Sequence, residues 1–241
     1  KELKEQLRAI SILGRDLRRM PFIESISSPM NQALHGIADP AVVYETMRTQ
    51  PDALREGLET IAQTCIDFSQ ACVDEGASGI FYGLGARGSF WSKLNKRELE
   101  EWELKYDKKI LDSVKAPIKL LHICNTADED PEKNGGLMRE GWFKKFPVTM
   151  INWNNPAFTP IAEAKRVYGD SFCICGGVDH VKTLSKGTPA MVEGEARQAI
   201  ADAGDGAGFI LGAGCTARMD TPWENVNAVG RAAIKYGTYR K

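Results

Sequence analysis

The 241-residue chain contains no apolar run approaching the ~20 residues that a membrane-spanning helix needs. It also lacks a charge of one sign: 31 Lys and Arg against 32 Asp and Glu leave a formal net charge of -1. Neither a nucleic-acid surface nor an anionic membrane partner is indicated. Cysteine is scarce, with six in the whole chain, which is not the framework of a disulfide-stapled secreted domain. No Gly-x-Gly-x-x-Gly follows the first predicted strand, and this argues against a dinucleotide site. No signal peptide is visible in a sequence that starts at Lys1 without Met. Together these absences predict a reducing, cytoplasmic setting. What is present is ordinary for a globular chain, 43% hydrophobic and 26% charged, and long enough for one sizeable core.

The chain alternates helix and strand. Residues 2–18 predict a helix, and Pro21 to Ser27 a short strand. A loop or helical turn runs from Ser28 to Gly36. Asp39-Pro40 starts a helix, Asp39 capping free N–H groups and Pro40 fitting the first helical position. A further helix runs from Pro51 to Glu75 and stops at Gly76, with Cys65 and Cys72 reading as small core residues. Ser78 to Tyr82 is a strand, followed by the glycine-rich loop 83–88. Helix 93–114 is charged on one side. Pro117 to Cys124 is a strand, 125–135 an acidic loop, and Leu137 to Phe146 a short helix. Strands at Val148–Trp153, Ser171–Cys175 and Gly208–Leu211 alternate with helices at Pro160–Tyr168, Thr188–Ala203 and Thr221–Tyr236. Thr221 and Glu224 have capping-box spacing.

Alternation at this spacing argues for parallel βα units and an α/β fold. The architecture expected is a TIM (β/α)8 barrel, forming one domain over residues 1–241. Such a barrel needs eight strands. Six are predicted and the chain begins inside a helix, so two βα units are expected upstream of Lys1. A doubly wound open sheet is the alternative, although it would expose two edges.

Barrel enzymes place their chemistry at the C-terminal strand ends. The polar oddities of this sequence fall there. In Leu120-Leu121-His122-Ile123-Cys124, residues two apart share a strand face, so His122 and Cys124 point the same way. Gly212-Ala213-Gly214-Cys215 delivers a second thiol from another strand end. One imidazole and two thiolates make a three-ligand zinc set with an open fourth position, the pattern of catalytic zinc. The competing reading is a core histidine beside buried thiols. Asn152 and Asp179 end two other strands and are candidate substrate contacts. Asp179 reads equally as a turn residue. Arg87, in the glycine-rich loop, is a candidate cation for an anionic substrate. Cys173 and Cys175 read as core, His180 as solvent-facing, and Asp128-Glu129-Asp130 as a solvated loop. Trp153 and Trp223 read as packing residues.

The segments LLHICN, AKRVYGDSFCICGGVD, GTPAMVEGEARQAI and GFILGAGCTARMDTPWENVNAV resemble the uroporphyrinogen decarboxylase superfamily. The resemblance spans essentially the whole chain and corresponds to the C-terminal two-thirds of that fold. One branch of the superfamily decarboxylates the acetate side chains of uroporphyrinogen without metal. The other comprises zinc methyltransferases that exchange methyl groups with corrinoid proteins and is marked by His-x-Cys and a distant Cys. This sequence carries those marks as His122, Cys124 and Cys215, where decarboxylases look to have a histidine at the last position.

The resemblance therefore implies Zn²⁺ on His122, Cys124 and Cys215. It implies a corrinoid, carried on a partner protein, as methyl donor or acceptor, and a thiol of the coenzyme M kind or a tetrahydrofolate as the other substrate. It also implies pairing into a homodimer. Two departures stand out. The branch usually reads His-x-Cys-Gly-Asn, whereas Asn125 follows Cys124 directly, and Asn152 stands where relatives often have a carboxylate. The arginine-rich motif of decarboxylases would lie upstream of Lys1. The alternatives are a decarboxylase of tetrapyrrole biosynthesis and a non-catalytic module that binds a corrinoid or tetrapyrrole.

Overall fold

A computed structural model describes residues 2–17, 20–84, 94–124, 136–154 and 159–237. Its backbone clusters into two compact units, the first formed by Lys1–Leu121 with Lys145–Thr149, the second by His122–Lys144 with Met150–Lys241. No helix among the described residues is long and apolar enough to cross a membrane.

The first unit opens with helix α1 (Glu2–Asp16) and strand β1 (Glu24–Ser27). Strand β1 is shorter than the sequence predicts, starting after Pro21. Helix α2 (Pro29–Gln32) runs on into a π-turn, Ala33–Ile37. Helix α3 (Pro40–Thr49) begins as expected, the Asp39 carboxylate accepting from the Ala41 N–H at 2.7 Å. Helix α4 (Pro51–Asp74) buries Leu58, Ala62, Cys65, Ser69 and Cys72. Their spacing of three and four residues is the apolar stripe of an amphipathic helix. Part of that stripe closes a small core of Ile10, Cys72 and Ala77, flanked by Leu7, Phe22 and Phe68.

Strand β2 (Gly79–Leu84) pairs in parallel with β1, Glu24 opposite Ile80 and Ser27 opposite Gly83. It therefore absorbs Gly83 and Leu84, which the sequence assigns to the following loop. Gly79 is required by proximity: a Cβ there would lie 1.8 Å from the Ile118 carbonyl oxygen. The predicted helix 93–114 is three pieces, α5 (Lys96–Leu99), a π-turn (Glu100–Leu104) and α6 (Lys105–Ser113). It starts in a capping box the sequence reading missed. The Glu98 N–H donates to Asn95 Oδ1 at 3.0 Å, and the Asn95 N–H to Glu98 Oε2 at 2.8 Å. The π-turn and α6 bury two acids. Glu103 accepts from the Ser28 hydroxyl at 3.0 Å and Asp107 from the Tyr82 hydroxyl at 2.6 Å. Strand β3 (Ile118–Ile123) contributes its first four residues to this unit.

The second unit takes His122 and Ile123 from β3 and adds three strands, β4 (Met150–Trp153), β5 (Cys173–Val178) and β6 (Phe209–Ala213). These three pair in parallel, with Asn152 opposite Cys175, Cys175 opposite Ile210 and Val178 opposite Ala213. Helices α7 (Ile161–Tyr168) and α8 (Pro189–Ala203) make the crossovers, and α9 (Trp223–Tyr236) follows β6. The predicted helix over 137–146 is in part a 3₁₀ turn, Trp142–Lys145. Thr188 caps α8 through the Met191 N–H at 3.3 Å.

The predicted capping box at Thr221 does not form. No side chain caps α9, and the Thr221 hydroxyl lies 3.0 Å from that of Ser185. The buried Asn225 instead ties α9 down, donating to the Leu184 and Gly187 carbonyls at 2.9 Å each. Val178, Leu184, Val192, Ala196, Ala228 and Ala232 form the core between β5, α8 and α9. Parallel strands joined by helices are the βα repeat of a (β/α)8 barrel, and six strands lie among the described residues.

Candidate metal centre

Two strand ends of the second unit, those of β3 and β6, bring the predicted ligands together. His122 is the penultimate residue of β3 and is 4% exposed. Cys124 follows one residue past the strand. Cys215 lies two residues beyond the end of β6, in a turn that starts at Gly214. That turn passes so close to β4 that a Cβ on Gly214 would stand 3.0 Å from Asn154 Cα and 3.2 Å from the Trp153 carbonyl oxygen. The Gly214 N–H donates to the Val178 carbonyl at 2.9 Å, which fixes the turn against the end of β5. Cys215 Sγ sits 3.3 Å from His122 Nε2. One donor atom each from His122, Cys124 and Cys215 lies within 4.8 Å of the others.

Tetrahedral zinc with ordinary bond lengths separates a thiolate sulfur from an imidazole nitrogen by about 3.6 Å, and two sulfurs by about 3.8 Å. The donor set therefore fits a zinc ion with small adjustments, and it leaves one position open. The electrostatics agree. The Cys215 thiol is driven down to about 3, first by a hydrogen bond from Cys124, against burial, and then by the hydrogen bond and charge of His122 and the Thr216 N–H. A cysteine held as thiolate beside an imidazole is ready to ligate a metal.

Asn152 stands behind the histidine. It is 3% exposed, and its Oδ1 lies 2.6 Å from His122 Nδ1. Its Nδ2 donates to the carbonyls of Cys175, at 2.9 Å, and Ala213, at 3.1 Å. The structure thus places Asn152 against His122, where the sequence suggests a substrate contact.

The remaining candidates scatter. Asp179 is buried, and its Oδ1 accepts from the Val181 and Lys182 N–H groups at 2.8 Å each, the turn role the sequence left open. His180 is half-buried, not solvent-facing, and its Nδ1 is buried without a hydrogen-bond partner among the described residues. Trp153 is packed, its Nε1 donating to the Thr159 carbonyl at 3.0 Å. Trp223 is 75% exposed, contrary to expectation, because α9 presents it outward at its first turn. Cys173 and Cys175 are half-buried rather than core residues, and burial pushes the Cys173 thiol up and that of Cys175 to about 11. Arg87 and the acidic run 128–130 lie outside the described residues.

One residue was missed by sequence reasoning. Asn154, just past β4, has a buried Oδ1 without a partner among the described residues, 3.3 Å from where Gly214 would carry a Cβ. The available signal was its spacing of two from Asn152.

Comparison with known proteins gives the chain its place. Uroporphyrinogen decarboxylase of Histophilus somni (strain 129Pt) is 24% identical over 253 residues, covering 98% of this chain and 66% of the relative. That of Methylobacillus flagellatus is 25% identical over 238 residues, covering 96% and 64%. The chain thus spans just under two thirds of the length of these curated relatives. Among solved structures, a methyltransferase from Methanosarcina mazei superposes with a TM-score of 0.79 at 20% identity, over 96% of this chain and 64% of that one. At that identity the likeness establishes the fold. The profile of the family described as uroporphyrinogen decarboxylase (URO-D) matches residues 1–236, and the chain belongs to that family.

Proposed function

We propose that the chain is part of a zinc-dependent methyltransferase that moves a methyl group between a corrinoid protein and a thiol or tetrahydrofolate acceptor. The observation that carries this reading is the convergence of His122, Cys124 and Cys215, with their donor atoms within 4.8 Å of one another. His122 Nε2, Cys124 Sγ and Cys215 Sγ would hold the ion. Bound zinc supplies a Lewis acid that keeps a thiol deprotonated and nucleophilic at neutral pH. The protein's own part is to leave one coordination position open and to seat that position at the strand ends. The burial of His122 keeps water from one side of the set. Of the predicted substrate contacts, Arg87 would meet the substrate.

Metal analysis of the purified protein tests the proposal. About one equivalent of zinc is expected, as a single three-ligand site demands. Cys124→Ala is expected to lose the zinc and the methyl transfer together, and full zinc content in that variant would show the ligand assignment to be wrong. The curated relatives named uroporphyrinogen decarboxylase support a second reading, decarboxylation of a tetrapyrrole. That reading calls for a basic cleft, whereas Arg218 is engaged with Asp220 at 3.1 Å. Formation of coproporphyrinogen from uroporphyrinogen would decide for it.

A further inference from the structure

We infer that Asn152 is the positioning residue of this centre, fixing His122 in the tautomer that carries its proton on Nδ1 and so aims Nε2 at the metal. The inference rests on the zinc reading above for its consequence, but its geometry stands independently.

A primary amide has two donors on nitrogen and an acceptor oxygen, and only the surroundings reveal which is which. Here they do. The nitrogen faces two main-chain carbonyls, Cys175 O at 2.9 Å and Ala213 O at 3.1 Å. Turned over, the amide would set its oxygen against both part-buried carbonyls, replacing two hydrogen bonds by acceptor–acceptor repulsion. The orientation is thereby fixed by β5 and β6. Oδ1 must face His122, and an amide oxygen only accepts. At 2.6 Å the hydrogen between them belongs to His122 Nδ1. The other ring nitrogen, Nε2, is the one 3.3 Å from Cys215 Sγ. Metal-bound histidines commonly have their second nitrogen held in this way by an oxygen acceptor.

The choice of Asn over Asp also follows from charge. Two thiolates and a neutral imidazole balance a dication. A carboxylate at 152 would add a negative charge to the centre, and its second oxygen would oppose the Cys175 and Ala213 carbonyls.

The test uses ¹⁵N-labelled protein and long-range ¹H–¹⁵N correlation of the histidine side chains, metal-free and zinc-loaded. The sequence has only three His, so His122→Gln identifies the His122 signals. A protonated Nδ1 is expected in both states. Asn152→Leu is expected to lose that fixed tautomer and to weaken zinc binding about 10–100-fold in chelator competition. Asn152→Asp, which keeps an acceptor facing Nδ1, is expected to restore the tautomer. A wild-type His122 that carries no proton on Nδ1 overturns the inference, as does unchanged zinc affinity in folded Asn152→Leu. Should the wild type take up no zinc yet show Nδ1 protonated, the positioning of His122 stands and the metal reading fails. The wild-type spectrum alone distinguishes the two tautomers even where Asn152→Leu does not fold.

Discussion

Gly177 offers a quantitative test of how tightly the strand ends are held. It lies one residue before the end of β5 with φ +119, a backbone conformation that side chains rarely adopt. A Cβ added there would stand 2.6 Å from the Ala199 Cβ on α8, 3.3 Å from Leu211 Cδ1 and 3.5 Å from Phe209 Cζ. The Leu211 and Phe209 atoms end rotatable side chains and can give. The Ala199 Cβ is fixed to the helix backbone and cannot. Gly177→Ala therefore combines backbone strain of about 1–3 kcal/mol with overpacking of about 1–3 kcal/mol. The sum is a large share of the roughly 5–15 kcal/mol that keeps a domain folded. Urea unfolding followed by circular dichroism should register a lower midpoint. Ala199→Gly in the same chain removes the facing carbon, at about 1 kcal/mol for a glycine in a helix. It should recover the overpacking part and leave the backbone part. A coupling of about 1–3 kcal/mol between the two positions is expected from the double-mutant cycle. A Gly177→Ala variant within about 0.5 kcal/mol of wild type, or a coupling near zero, would refute the account.

Two further outcomes follow from buried and activated groups. Burial, and then the charge of Glu103, holds the Asp107 carboxyl well above its ordinary range, against the hydrogen bond from Tyr82. The folded state thus keeps a proton that the unfolded chain releases, so the stabilising contribution is full below the unfolded pKa and is lost as pH rises toward the folded one. Asp107→Asn should gain on wild type as pH rises above about 4, by up to about 1.4 kcal/mol per unit, and a gap constant with pH would contradict this. In metal-free protein, Cys215 should react with iodoacetamide at a rate nearly flat across mildly acidic to neutral pH, since its thiol sits at about 3. Cys175, at about 11, should slow about tenfold per unit of falling pH. Peptide mass spectrometry separates the sites, and a tenfold slope at Cys215 would count against the thiolate.

The fold was legible where local chemistry repeats. Asp39-Pro40 and Thr188-Pro189 start helices as their caps dictate, and the alternation of elements gave the βα class. Boundaries failed where tertiary contacts rule. Gly83 extends β2 because Ser27 of β1 lies alongside to pair with it. Thr221 leaves its capping position for Ser185, a residue 36 positions away. The site divides in the same manner. His122 and Cys124 were readable because a strand period of two joins them, and Cys215 because Gly212 and Gly214 lead into it. The role of Asn152 was not readable, since it depends on carbonyls of Cys175 and Ala213 that no local pattern identifies. Nor was the burial of Glu103 and Asp107, charged residues on a helix that looked solvated.

The connection between Asn152 and the strands ties the His122 ring to the sheet, while Cys124 and Cys215 lie just past strand ends. From His122 on β3 a hydrogen bond runs to Asn152 on β4, and from Asn152 to Cys175 on β5 and Ala213 on β6. Two residues after Ala213 the chain returns through Cys215 to the imidazole. β3, β4, β5 and β6 are thus joined through an imidazole, one side-chain amide, two main-chain carbonyls and a thiol. On the zinc reading the imidazole is preorganised, because turning it breaks its hydrogen bond to Asn152. The same logic separates family from chemistry. The βα scaffold accounts for a family match over residues 1–236. On the zinc reading proposed above, the reaction would be decided by the donor atoms at and just past the strand ends, in this chain one imidazole and two thiols.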